Sequence, residues 1–188
     1  MKPLYEPLPK KVEVGGIPYP VKTDFRAVLK LIGEVKQAGE PGSRLFLILR
    51  LYKKKIPPDI QGAVQAVTDF IAGIRSAEKE KEREGSGKQT FSYEKDAPYI
   101  VSDFRNYYGI DLLACKYLHW QKFQMLLEGL PDDSGVKTRI GYRSIDAGKI
   151  RDKQERQRIQ KIQRAISLED ERDEEQIGDL FAAAMWGD

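Results

Sequence analysis

The stretch VEVGGIPYPVKTDFRAVLKLIGEV, residues 12–35, contains the change of period that decides the fold class. Val12 and Val14 alternate with Glu13, Gly15-Gly16 interrupts, and Ile17, Tyr19 and Val21 resume the alternation. That pattern reads as a short β-hairpin closed by a Gly-Gly turn. Pro18 and Pro20 make its second strand an edge strand at best, because proline has no N–H for a ladder. From Thr23 the period becomes helical. Thr23 or Asp24 can cap a helix whose apolar positions are Phe25, Val28, Leu29, Ile32 and Val35, and the glycines between Gly39 and Gly42 stop it.

Everything beyond this point follows the helical pattern. The run Arg44 to Tyr52 is apolar on nearly all sides, which suits a short central helix, with a buried strand as the alternative. Lys53-Lys54-Lys55 then falls where a helix dipole favours cations. Pro57-Pro58-Asp59 opens a helix with Ile60, Val64, Val67, Ile71 and Ile74 on one face. Residues 78–90 carry alternating charge and then glycine and serine, with no large apolar side chain, and read as a flexible loop. An aromatic-rich helix follows, holding Tyr99, Ile100, Phe104, Tyr107 and Tyr108 and stopped by Gly109. Asp111 can cap the next one, with Leu113, Tyr117, Trp120, Phe123 and Leu127 as its stripe. After Gly129 to Gly135 and a short segment around Arg139 to Ile145 comes a basic helix, roughly Lys149 to Arg164, with Ile159, Ile162 and Ile166 as a narrow seam. Ser167 with Asp170 resembles a capping pair for an acidic terminal helix. The predicted fold is therefore mainly α: an N-terminal β-hairpin followed by a helical bundle of five to seven helices. Residues 1–77 form its first half, 78–90 the loop, 91–166 the second half of the same domain, and 167–188 an acidic amphipathic tail.

The chain is 188 residues long, with 40% hydrophobic and 32% charged side chains. That supports one real core and excludes two full enzyme domains. No apolar run is long enough to span a bilayer and no signal-peptide pattern opens the chain, so a soluble cytoplasmic protein is expected. The net charge of +3 conceals segregation: residues 136–166 hold ten basic and three acidic groups, while the last 22 residues hold one and eight. Opposite charges thus adjoin at the C-terminus.

Candidate chemistry is sparse. A single cysteine, Cys115, excludes an intramolecular disulfide, and a single histidine, His119, excludes a conventional zinc finger. Gly85-Ser86-Gly87-Lys88 imitates a phosphate loop, but Glu82 stands where the motif's first glycine belongs and Gln89 where its hydroxyl belongs. Cys115 and His119 are four residues apart, a spacing that a helix would bring to one face, yet two ligands do not make a stable metal site. The carboxylates lie in charged runs and not in pairs suited to acid–base work. No catalytic residue, metal site or cofactor is expected. The basic surface Lys149, Arg151, Lys153, Arg156, Arg158, Lys161 and Arg164 could neutralise phosphates, but carries no aromatic residue to stack on bases. A protein-facing role is the stronger reading and nucleic acid the alternative. In the tail, Ile177, Leu180, Phe181, Met185 and Trp186 recur at helical spacing and form a candidate partner-binding face, for another subunit or a client.

Several segments occur together in a familiar order: Leu4-Tyr5-Glu6-Pro7-Leu8-Pro9, Ile17-Pro18-Tyr19-Pro20-Val21, Thr23-Asp24-Phe25-Arg26, Asp96-Ala97-Pro98-Tyr99-Ile100, Tyr108-Gly109-Ile110-Asp111-Leu112, Leu118-His119-Trp120-Gln121-Lys122-Phe123 and Gly141-Tyr142-Arg143-Ser144. With these, the chain resembles the bacteriophage gene-product-fifteen family of siphophage and prophage tail gene clusters over about residues 4–165. The resemblance implies a tail assembly chaperone in the bacterial host cytoplasm, absent from the mature virion, with a structural tail component as the alternative. Its partner would be the tape measure protein, with other tail assembly proteins and self-association also expected. Gln121 departs from the family, whose members often carry a second tryptophan there, and the tail from Ser167 looks like an extension.

Overall fold

The computed structural model describes residues 5–73 and 89–168, and among them seven α-helices follow one two-stranded antiparallel hairpin. The mainly helical fold with an N-terminal hairpin is as the periodicity predicts. The described residues divide into two compact units, one of residues 5–73 and 116–125, the other of residues 89–115 and 126–168. The predicted loop and the phosphate-loop imitation lie outside the described residues, apart from Gln89 and Thr90, as do Ile74 and the tail positions beyond Leu168.

In the first unit, β1 (Lys11–Val14) and β2 (Ile17–Pro20) pair in the register Val14↔Ile17 to Lys11↔Pro20. Gly15 and Gly16 both have positive φ, 57° and 75°, the mirror-image turn that matches strand twist and that only glycine enters without strain. Val12 and Val14 point to the core while Lys11 and Glu13 face solvent. Helix α1 (Phe25–Gln37) is capped by Asp24, whose carboxylate accepts the Arg26 N–H at 3.0 Å. Its buried face is Phe25, Val28, Leu31, Ile32 and Val35; Leu29 is only half-buried.

Helix α2 (Pro41–Leu49) resolves the helix-or-strand alternative in favour of helix. It is not buried all round, because α1 and α3 cover one side and leave Phe46 67% exposed. The lysine triplet also lies elsewhere than expected: the helix ends at Leu49, and the following chain turns back to pair with the hairpin, Lys53 N–H donating to the Pro20 carbonyl. Asp59 caps α3 (Ile60–Ala72) by accepting the Gly62 N–H. The buried Tyr52 hydroxyl donates to the Ala63 carbonyl at 2.8 Å, and burial, reinforced by Tyr19, pushes its pKa up to about 12.

In the second unit, α4 (Ala97–Tyr108) ends at Gly109 in the left-handed conformation, as its sequence predicts. Two expectations fail beyond it. Asp111 caps only a turn, accepting the Leu113 and Ala114 N–H groups, and α5 (Trp120–Glu128), which belongs to the first unit as far as Met125, begins nine residues later. Leu113 and Tyr117 are accordingly exposed, whereas Trp120, Phe123 and Leu127 are buried. The segment around Arg139 is itself helical, α6 (Gly135–Ser144), capped by Ser134. Its helical character is hidden in the sequence because only Val136 and Arg143 are buried on it. A 3₁₀ turn (Ala147–Lys149) leads to α7 (Lys153–Ala165), so the basic helix starts four residues later than predicted, at the Asp152 cap.

Candidate functional site

The family-resemblance segments that contain Pro9, Asp24, Asp96, His119 and Arg143 meet in two polar clusters. The first joins Thr23-Asp24 to Leu118-His119-Trp120. Phe25 N–H donates to the Leu118 carbonyl, Trp120 N–H to the Thr23 carbonyl, and Leu118 N–H to the Asp24 carboxylate. Thr23 Oγ1 and the Tyr117 hydroxyl lie 2.8 Å apart. The Trp120 indole donates to the Ile71 carbonyl at 2.8 Å, and its ring and that of Phe25 both stack on Phe123. This arrangement locks residues 118–124 onto α1 and α3 of the first unit.

His119 sits within this cluster, 5% exposed. Its Nε2 lies 2.9 Å from the Pro9 carbonyl, which can only accept, so Nε2 carries the proton; Nδ1 accepts the Gln121 N–H at 3.2 Å. Both nitrogens are engaged by the neutral ring. Burial lowers the pKa, Lys10 adds to the lowering, and the Pro9 carbonyl opposes both. Cys115 does not share a helical face with it, since Cys115 closes the Asp111 turn and the helix begins only at Trp120. No group of three or more His, Cys, Asp or Glu among the described residues could hold a metal ion.

The second cluster is centred on Arg143 and Asp96, 4% and 0% exposed. The pair is bidentate at 2.7 and 2.8 Å. Arg143 also donates to the Thr90 and Ile166 carbonyls, and Asp96 accepts the Ser92 N–H. One guanidinium thus ties together the chain before α4, helix α6 and the end of α7. A charged group that sequence reasoning passed over completes the cluster's surroundings: buried Asp103 on α4 accepts the N–H groups of Gly135 and Val136 at the start of α6, where a carboxylate complements the helix dipole. A side chain at Gly135 would press on Tyr99 and Asp103, so glycine permits the close approach of α4 and α6. An Asp at the seventh position of an aromatic helix gave no sequence signal of this role, because its partners lie over thirty positions away.

The profile of the family described as Bacteriophage Gp15 protein matches residues 4–168. The chain belongs to the bacteriophage Gp15 family. No curated protein and no solved structure matches it. In this Gp15 protein each cluster holds family segments together by hydrogen bonds.

The basic surface is different in kind. Lys153, Arg158, Lys161 and Arg164 on α7, with Lys149 and Arg151 before it, are exposed, and Arg156 is half-buried. Arg158 pairs with Glu155 and Lys149 with Asp146. Lys153, Gln157, Lys161 and Arg164 follow helical spacing along one face, while Ile159 is buried on the opposite side. The tail residues Ile177, Leu180, Phe181, Met185 and Trp186 lie outside the described residues. No helix among the described residues is long and apolar enough to cross a membrane.

Proposed function

We propose that this Gp15 protein is a non-catalytic tail assembly chaperone that binds the phage tape measure protein in the bacterial host cytoplasm and keeps it soluble, without entering the finished virion. The observation that carries this reading is the inward engagement of the family segments: Asp24, His119, Asp96 and Arg143 have their hydrogen-bonding groups taken up within the fold. Side chains whose hydrogen-bonding groups are engaged in this way build a scaffold. The same fold leaves Phe46, Leu113 and Tyr117 more than half exposed, apolar groups able to meet an amphipathic client. Co-expression with the tape measure protein from the same gene cluster tests it. A higher soluble yield and copurification are expected; unchanged yield with no copurification overturns the reading.

A nucleic-acid role is the second reading, favoured by the exposed cations of α7. Retention on duplex DNA that falls steeply with salt would support it, with a slope set by the number of phosphates neutralised. Salt-independent or absent retention leaves the protein-facing role.

A further inference from the structure

The two outer edges of the hairpin are unequal. The two-residue Gly15-Gly16 loop and the register of β1 and β2 put the mutually hydrogen-bonded pairs at Val14↔Ile17 and Val12↔Tyr19. Val21 N–H donating to the Lys10 carbonyl continues that alternation. Pro18 and Pro20 therefore turn their backbone outward along β2, where proline removes the donors. The Pro20 carbonyl is occupied by Lys53 N–H, and Val21 forms a bridge with Tyr52. The β2 edge is closed. Along β1 the outward groups are the N–H and C=O of Lys11 and Glu13. Among the described residues none of these takes part in a backbone hydrogen bond, and both residues are exposed.

We propose that this open edge docks a second copy of the chain, β1 against β1 about a two-fold axis, joining two hairpins into a four-stranded antiparallel sheet. With Val12 at the axis, Lys11 of one copy stands opposite Glu13 of the other and Glu13 opposite Lys11. These are the residues whose backbone faces outward, so each Lys11–Glu13 pair exchanges two N–H···O=C bonds in the narrow antiparallel geometry. The exposed face then carries two opposite-charge cross-strand pairs. Parallel, in-register pairing would set lysine against lysine and glutamate against glutamate, so the charges select the antiparallel arrangement. A two-fold contact of this kind is self-complementary and closes at the dimer. The contact needs nothing from the proposed chaperone role.

Sedimentation velocity of the full chain across micromolar to high-micromolar concentrations tests the proposal, with a reversible monomer–dimer equilibrium expected. Glu13→Pro removes one outward donor while keeping every hydrogen bond inside the hairpin, and is expected to raise the dimer Kd at least ~10-fold with an unchanged circular dichroism spectrum. Lys11→Glu and Glu13→Lys, each placing like charges opposite, are expected to weaken the dimer; the combined swap Lys11→Glu/Glu13→Lys is expected to restore it. The swap keeps the test decisive if the proline variant fails to fold. A chain that is monomeric throughout, a dimer indifferent to Glu13→Pro in a folded variant, or single charge variants not rescued by the swap overturns the proposal.

Discussion

Asp96 and Arg143 form a buried ion pair whose bonds are all made, so removing one partner strands the other charge in the core. Asp96→Asn or Arg143→Met is expected to lower the free energy of unfolding by about 3–5 kcal/mol, measured by urea denaturation. Replacing both by apolar residues should cost less than the sum of the two single changes, because no unpaired charge remains. His119 acts in the opposite sense, since it is buried neutral. Its folded pKa lies below the usual value, so the unfolded chain takes up the proton first. Its contribution is complete above about pH 6.5 and is lost as pH falls through the folded pKa. Unfolding free energies measured from pH 7.5 down to 5 should therefore decrease, and His119→Gln should flatten part of that slope. Neither role was legible from spacing. Pro9 is 110 positions from His119, and no local pattern encodes such a partner.

At the scale of elements, hairpin, α1, α3 and α4 were readable because local chemistry decides them: a Gly-Gly turn, an Asp cap, a regular apolar stripe, a terminal glycine. The error over residues 111–119 has a physical cause. Asp111 is a good cap for a turn as well as for a helix, and Leu113 and Tyr117 happen to fall in phase with Trp120. The corrected boundary makes a prediction. Leu113→Ser should change stability by no more than about 0.5 kcal/mol, whereas Trp120→Ala, which empties a stacked core position, should cost about 3–5 kcal/mol. Equal effects in thermal melts would restore the longer helix. Helix α6 was missed for the converse reason: its position depends on Arg143 and Asp103, which look like surface charges in one dimension.

For the whole molecule, the C-terminal boundary fixes where a truncation can be made. Leu168 is 6% exposed and the Ile166 carbonyl accepts from Arg143. A truncation meant to remove the acidic segment should therefore end after Leu168, since ending after Ile166 would delete a core side chain. The shortened chain is expected to keep its melting temperature and lose client binding, if Ile177, Leu180, Phe181, Met185 and Trp186 serve a partner. A melting temperature lower by several degrees would instead make the tail part of the core. Pull-down and differential scanning calorimetry on the same preparation separate these outcomes.

The sequence by itself determined the mainly helical class, the hairpin, most helix caps and the family, because periodicity, turn chemistry and ordered motifs are properties of neighbouring residues. Tertiary structure alone decided that Lys116–Met125 groups with the N-terminal unit, that Lys53 closes one edge of the hairpin, and that Arg143 is an internal anchor while its basic neighbours on α7 face solvent. A charged side chain is written identically in the sequence whether it is solvated or buried; only the distant carboxylates and carbonyls that satisfy it determine which it becomes.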